Sequence, residues 1–153
     1  MHDLKPKEKR MARIAALQCI YALEYNANLE GIEEMLNEFI LLSNKNLTND
    51  VKLKVMDYSS HLRAITLKHK QSIDQLIKKR SENWAFGRIT ILDKLILRMS
   101  LAEMLYEDSV PPKVSIAEGV EIAKQFSTND SSSFINGILD AIYNNMIMKQ
   151  NNK

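Results

Sequence analysis

The side chains that most often perform chemistry are sparse in this chain. The histidines are His2, His61 and His69, and the single cysteine is Cys19. His61 and His69 stand eight residues apart. They therefore do not form the one-turn imidazole pair that holds zinc, and no cysteine cluster assists them. Glu33-Glu34 and Glu107-Asp108 are adjacent carboxylates, which helical geometry points apart. Cys19 lies among Leu17, Ile20 and Tyr21, the setting of a small core thiol rather than of a nucleophile. The chain has no glycine-rich phosphate loop, no Gly-x-Ser-x-Gly elbow and no His-Glu-x-x-His. The expectation is no catalytic residue, no metal, no cofactor and no enzyme.

Two stretches carry binding chemistry instead. In "KPKEKRMAR", Lys5, Lys7, Lys9, Arg10 and Arg13 outnumber the nearby Asp3 and Glu8. Cations there would attract a phosphate chain, and the segment runs into a helix whose Tyr21 could stack on an unpaired base. Core packing is an equal reading for Tyr21 from spacing alone. The second stretch is "FINGILD", where Asn136-Gly137 interrupts an apolar run. Asn-Gly is a hairpin signal, yet Ile135, Ile138, Leu139, Ile142 and Met146 recur at helical spacing. Ser133, Asn136, Gly137 and Asp140 form another face of that helix. Gly137 costs it about 1 kcal/mol relative to alanine. A bare glycine leaves room for close approach, by a neighbouring helix or by a ligand. Asp130, Phe134 and Asn136 would surround the opening with an acceptor, a ring and a two-way amide.

Helices must position these residues. The chain has 153 residues, 45% of them hydrophobic, with four glycines and three prolines. That composition supports one substantial core and leaves little material for a turn-rich β-protein. A net charge of +2 specifies no partner by itself. The lone cysteine excludes an internal disulfide and fits a reducing compartment. No stretch is apolar enough to span a bilayer, and the N-terminus is charged where a signal peptide is apolar. A cytoplasmic protein without a membrane partner is expected.

Apolar spacing predicts a helix from about Pro6 to Asn26 and a short second one around Ile32 to Ile40. A third starts after a cap at Asn49 or Asp50 and bends near His69 to Ser72. Ile91 to Tyr106 reads as the strongest amphipathic segment, with Asp93, Lys94, Arg98 and Glu103 off its apolar stripe. Pro111-Pro112 reads as an extended link, with Ser115 and Glu118 as a capping box for the next helix. "STNDSSS" reads as a polar break before a final helix from about Ser131 to Met146. About seven helices with short connections make an all-α fold. A single helical domain over 1–147 and a polar tail over 148–153 are expected.

Four segments together resemble the bacterial transcription antitermination factor NusB family. They are "KRMARIAALQCIYALE" at 9–24, "ILDKLILRMSLAEM" at 91–104, "VPPKVSIAEGVEIAKQFS" at 110–127 and "DSSSFINGILD" at 130–140. The resemblance implies two small helical bundles packed together and no enzymatic activity. It implies binding of boxA, a single-stranded element of nascent ribosomal RNA operon transcripts, together with the ribosomal protein NusE. Such a pair acts in transcription regulation by helping RNA polymerase resist termination, an indirect contact with the elongation complex. Carried over, the family's basic RNA-facing positions fall on Lys9, Arg10 and Arg13, and its tyrosine on Tyr21. Its RNA-facing acid and aromatic fall on Asp130 and Phe134, with Asn136 beside them, and the acid that meets NusE falls on Asp93. Lys9 and Met11 stand where family arginines are common, and lysine lacks the planar fork. The alternative is a helical protein-interaction adaptor with little RNA binding of its own. A NusB-like domain also precedes a ribosomal RNA methyltransferase in other proteins, and with the sequence ending soon after the last helix that enzyme-linked version is not expected here. A homodimer is compatible with the sequence.

Overall fold

A computed structural model describes residues 3–25, 46–81 and 86–151, with the single positions Gly31, Glu34 and Glu38. Among the described residues there are six α-helices and no strand. They are α1 (Pro6–Tyr25), α2 (Asn49–Lys68), α3 (Lys70–Arg80), α4 (Ile91–Tyr106), α5 (Pro112–Phe126) and α6 (Asn129–Asn151), with a 3-10 turn at Phe86–Arg88. The helix expected around Ile32 to Ile40 lies outside the described residues, apart from helical Glu34 and Glu38. The chain divides into two compact units, 1–64 and 65–153.

In the first unit α1 starts where the Lys5 amide donates to Glu8 Oε2 at 2.7 Å, the back-reaching half of a capping box. Ala12, Ala15, Ala16, Leu17, Cys19 and Ile20 are buried, and α2 supplies Val55, Tyr58 and Leu62. Arg63 of α2 donates from Nη1 to Cys19 Sγ of α1 at 3.2 Å, linking the two helices. Thr48, rather than Asn49 or Asp50, caps α2, accepting from the Val51 amide at 3.2 Å.

The second unit is built around α4, which packs on α3, α5 and α6. Every residue from Leu95 to Met104 is buried. The segment is thus a central helix rather than an amphipathic one. Its charged residues are satisfied internally: Arg98 by Asp74 of α3, Glu103 by the Ser115 hydroxyl at 2.9 Å. Ser115 is therefore not a cap. Pro111 is the extended N-cap residue of α5 and Pro112 its first helical residue, the place where a missing N–H costs nothing. Gly119 explains the close approach of α5: a Cβ there would meet the Ser100 hydroxyl and lie 3.2 Å from Ser100 Cβ.

Candidate nucleic-acid and partner interface

On α1 the exposed positions separate from the core by helical geometry. Arg10 and Tyr21 are eleven residues apart, which returns them to one face of the helix about 16 Å apart along its axis. Arg10 is exposed and Tyr21 is 40% exposed. Tyr25, one turn on, is 68% exposed, its ring centroid 5.2 Å from that of Tyr21. The Tyr21 hydroxyl shares a hydrogen bond with Tyr25 and its ionisation would oppose a second phenolate, so Tyr25 holds its proton above the usual tyrosine range. The two rings form an aromatic shelf on the helix face that also carries Arg10.

The other expected cations are placed differently. Lys9 is half-buried, its ammonium 5.6 Å from the centre of the Tyr58 ring. Arg13, expected among the phosphate-facing groups, is only 3% exposed. Its spacing from Lys9 and Leu17, four residues each way, puts it on the row that turns into the core. Lys5 and Lys7 are exposed and stand ahead of Arg10 at the same helix end.

The remaining expected residues lie in the second unit. Thr128 caps α6, its hydroxyl oxygen accepting from the Ser131 amide at 3.1 Å. Asp130 is exposed in the first turn, where the helix dipole favours an acid, and Phe134 follows one turn later, half-buried. Gly137 falls within about 20° of Asp130 around the axis. Among the described residues a Cβ there would meet nothing within 4 Å, so this glycine serves no helix packing among them. Asp130, Phe134 and Gly137 share one strip of α6, exposed at Asp130 and Gly137 and half-buried at Phe134.

Asn136 does not join that strip. It points about 120° away from Asp130 and lines a groove of about 570 Å³ between α5 and α6, with Ile116, Val120, Asp140 and Tyr143. The two halves of the Asn136-Gly137 dipeptide thus serve different surfaces.

Asp93, expected off the apolar stripe of α4 and available to a partner, is 5% exposed. Its Oδ1 accepts from the Ser127 hydroxyl at 3.2 Å and its Oδ2 from the Ser131 hydroxyl at 2.9 Å. Its amide donates to the N-cap Thr90 Oγ1 at 3.2 Å. The carboxylate lies at the N-terminal turns of both α4 and α6, where partial positive charge compensates a desolvated anion.

Spacing alone did not reveal a further cluster. The ammonium groups of Lys78 and Lys94 lie 4.9 and 4.5 Å from the centre of the Phe86 ring. Phe86 sits in a 3-10 turn between α3 and α4, and folding brings a lysine from each helix over its ring. Among the described residues, no group of three or more His, Cys, Asp or Glu could hold a metal ion, and no helix is long and apolar enough to cross a membrane.

Residues 10–144 match the model of the NusB family. The chain belongs to the NusB family. It is similar to transcription antitermination protein NusB of Chloroherpeton thalassium, 40% identical over 141 residues covering 92% of this chain. The match spans 64% of that relative's length. Transcription antitermination protein NusB of Thermodesulfovibrio yellowstonii is 38% identical, with 88% of this chain and 91% of the relative covered. Among solved structures, T. maritima NusB is similar with a TM-score of 0.69 at 28% identity, over 91% of this chain and 92% of that one. A crystal structure of antitermination factors NusB and NusE in complex with dsRNA has a TM-score of 0.68 at 22% identity, covering 92% and 98%. That last likeness speaks for the fold. Membership in the NusB family agrees with the four sequence segments and with the all-helical architecture.

Proposed function

We propose that this member of the NusB family is a cytoplasmic transcription antitermination factor. It binds the boxA element of nascent ribosomal RNA together with NusE, and the RNA-bound pair promotes processive elongation by RNA polymerase. The observation that carries the RNA reading is the exposed Arg10–Tyr21–Tyr25 face of α1. A cation there attracts phosphate, and two neighbouring rings offer stacking to unpaired bases. The strip of Asp130, Phe134 and Gly137 supplies a second RNA contact. Its ring can stack, its acid can accept from base amino groups, and its bare backbone permits approach. Asn136 contributes from its own groove. The acid serves discrimination and the cations serve attraction, because a carboxylate beside phosphate gains nothing unless it reads a base edge.

The burial of Arg13 and the engagement of Lys9 favour one second reading, a helical adaptor with little RNA binding of its own. Binding to boxA RNA and to a scrambled strand, with and without NusE and across a salt series, separates the two. An RNA binder weakens with log salt at a slope of roughly −0.7 per phosphate contacted on a single strand. A flat response with no preference for boxA would leave the adaptor.

A further inference from the structure

The polar break "STNDSSS" is a hydrogen-bonded joint. Ser127 is the C-cap residue of α5, and its amide donates to the Ala123 carbonyl at 2.7 Å. Ser131 lies in the first turn of α6. Between them Thr128 caps α6, its hydroxyl donating to Ser131 Oγ at 3.1 Å while the Ser131 hydroxyl donates to Asp93 Oδ2. One buried carboxylate on α4 thus accepts hydrogen bonds from the end of one helix and the start of the next, with the protons staying on the two serine hydroxyls. The second of these bonds falls between the residues of interest: Asp130 precedes Ser131, and Phe134 projects one turn beyond it. An anion desolvated at this place is held by two hydroxyls and two helix N-termini, so its geometry is specified rather than adaptable.

We propose that Asp93 is a positioning residue for RNA recognition: through Ser127 and Ser131 it fixes the first turn of α6 and so the places of Asp130 and Phe134. This rests on the RNA reading above and goes beyond it, because it gives Asp93 a role in RNA binding by the protein alone, without any partner. A partner that engages the same carboxylate must compete with the two hydroxyls, so partner and RNA occupancy are linked through this joint.

The test compares Ser131→Thr with Ser131→Val, side chains of equal shape that differ in the hydroxyl. Affinity for boxA RNA and for a scrambled strand is measured with the protein alone, and a thermal melt confirms that each variant is folded at the assay temperature. Ser131→Thr should retain wild-type discrimination. Ser131→Val should weaken boxA binding by about five- to tenfold, at the low end of coupling effects, and narrow the gap to the scrambled strand. Ser127→Ala should act in the same direction, and Asp93→Ala more strongly. Equal RNA affinity and discrimination in the Thr and Val variants would overturn the proposal while leaving the RNA reading intact. Wild-type protein that does not prefer boxA would instead overturn that reading, and the proposal with it.

Discussion

Arg98 donates from Nε to Oδ1 of Asp74 at 2.7 Å and from Nη2 to Oδ2 at 3.0 Å, a two-point ion pair joining α4 to α3. The two side chains are 8% and 16% exposed. The pair lets the central helix of the second unit carry an arginine through a nearly dry environment. Its fork geometry suits a carboxylate in a way lysine could not match.

Breaking one half of that pair leaves a buried charge. Asp74→Ala should therefore destabilise the protein by about 3 kcal/mol. In a chain of this size that lowers the melting temperature by about 6–12 °C. The double variant Asp74→Leu with Arg98→Met should recover much of the loss, since it removes both charges and keeps apolar volume. Calorimetry of the two variants checks this, and a harmless Asp74→Ala would show that the pair is not desolvated as its burial indicates.

Gly119 and Gly137 should respond to alanine in opposite ways. At Gly119 the methyl group meets Ser100 and, at 3.4 Å, Leu139, so overpacking should cost about 1–3 kcal/mol. At Gly137 the methyl enters open space, and the helix should gain about 1 kcal/mol. If RNA approaches the α6 backbone closely, Gly137→Ala should bind boxA more weakly despite its greater stability. Thermal melts and RNA titrations on the same preparations separate the two effects.

Arg10 and Tyr21 should fail differently. Arg10→Ala removes a phosphate contact, so the salt slope should become shallower by about 0.7 with every RNA affected alike. Tyr21→Ala removes stacking worth about 1–3 kcal/mol per base. It should leave the salt slope unchanged. A Tyr21→Ala variant with wild-type affinity would return that ring to mere surface.

The tyrosine pair also has an alkaline signature. In the folded chain Tyr25 keeps its proton above its ordinary value of 10.0 because of Tyr21. The folded state then binds more protons than the unfolded one between the two values, so stability falls as pH rises through that window. The contribution is fully present below it. Ultraviolet titration should show a late-ionising phenol that returns toward the ordinary value in Tyr21→Phe.

The apolar period made most helices legible, and with them the order of elements and the helical reading of "FINGILD" against its turn-like dipeptide. Pro6 to Tyr25 and the break at His69 were visible for the same reason: backbone hydrogen bonding and side-chain spacing are local, so local residues report them. Tyr21 was visible as a ring on the first helix, but whether it faces core or solvent depends on what packs on the neighbouring faces.

Tertiary structure decided the polar residues. Asp93, Arg98 and Glu103 read as polar positions off the apolar stripe, yet α4 is central and each finds a partner 34, 24 or 12 residues away. Packing also buried Arg13 and gave the helix-packing role to Gly119 rather than Gly137, whereas helical geometry alone turns Asn136 away from Phe134. Hydrophobic periodicity records which way a helix faces, whereas the fate of a charge depends on groups that only folding brings within hydrogen-bond reach. For that reason the sequence by itself determined the helices and the family, and the three-dimensional packing determined which of their polar side chains remain available to an RNA or a partner.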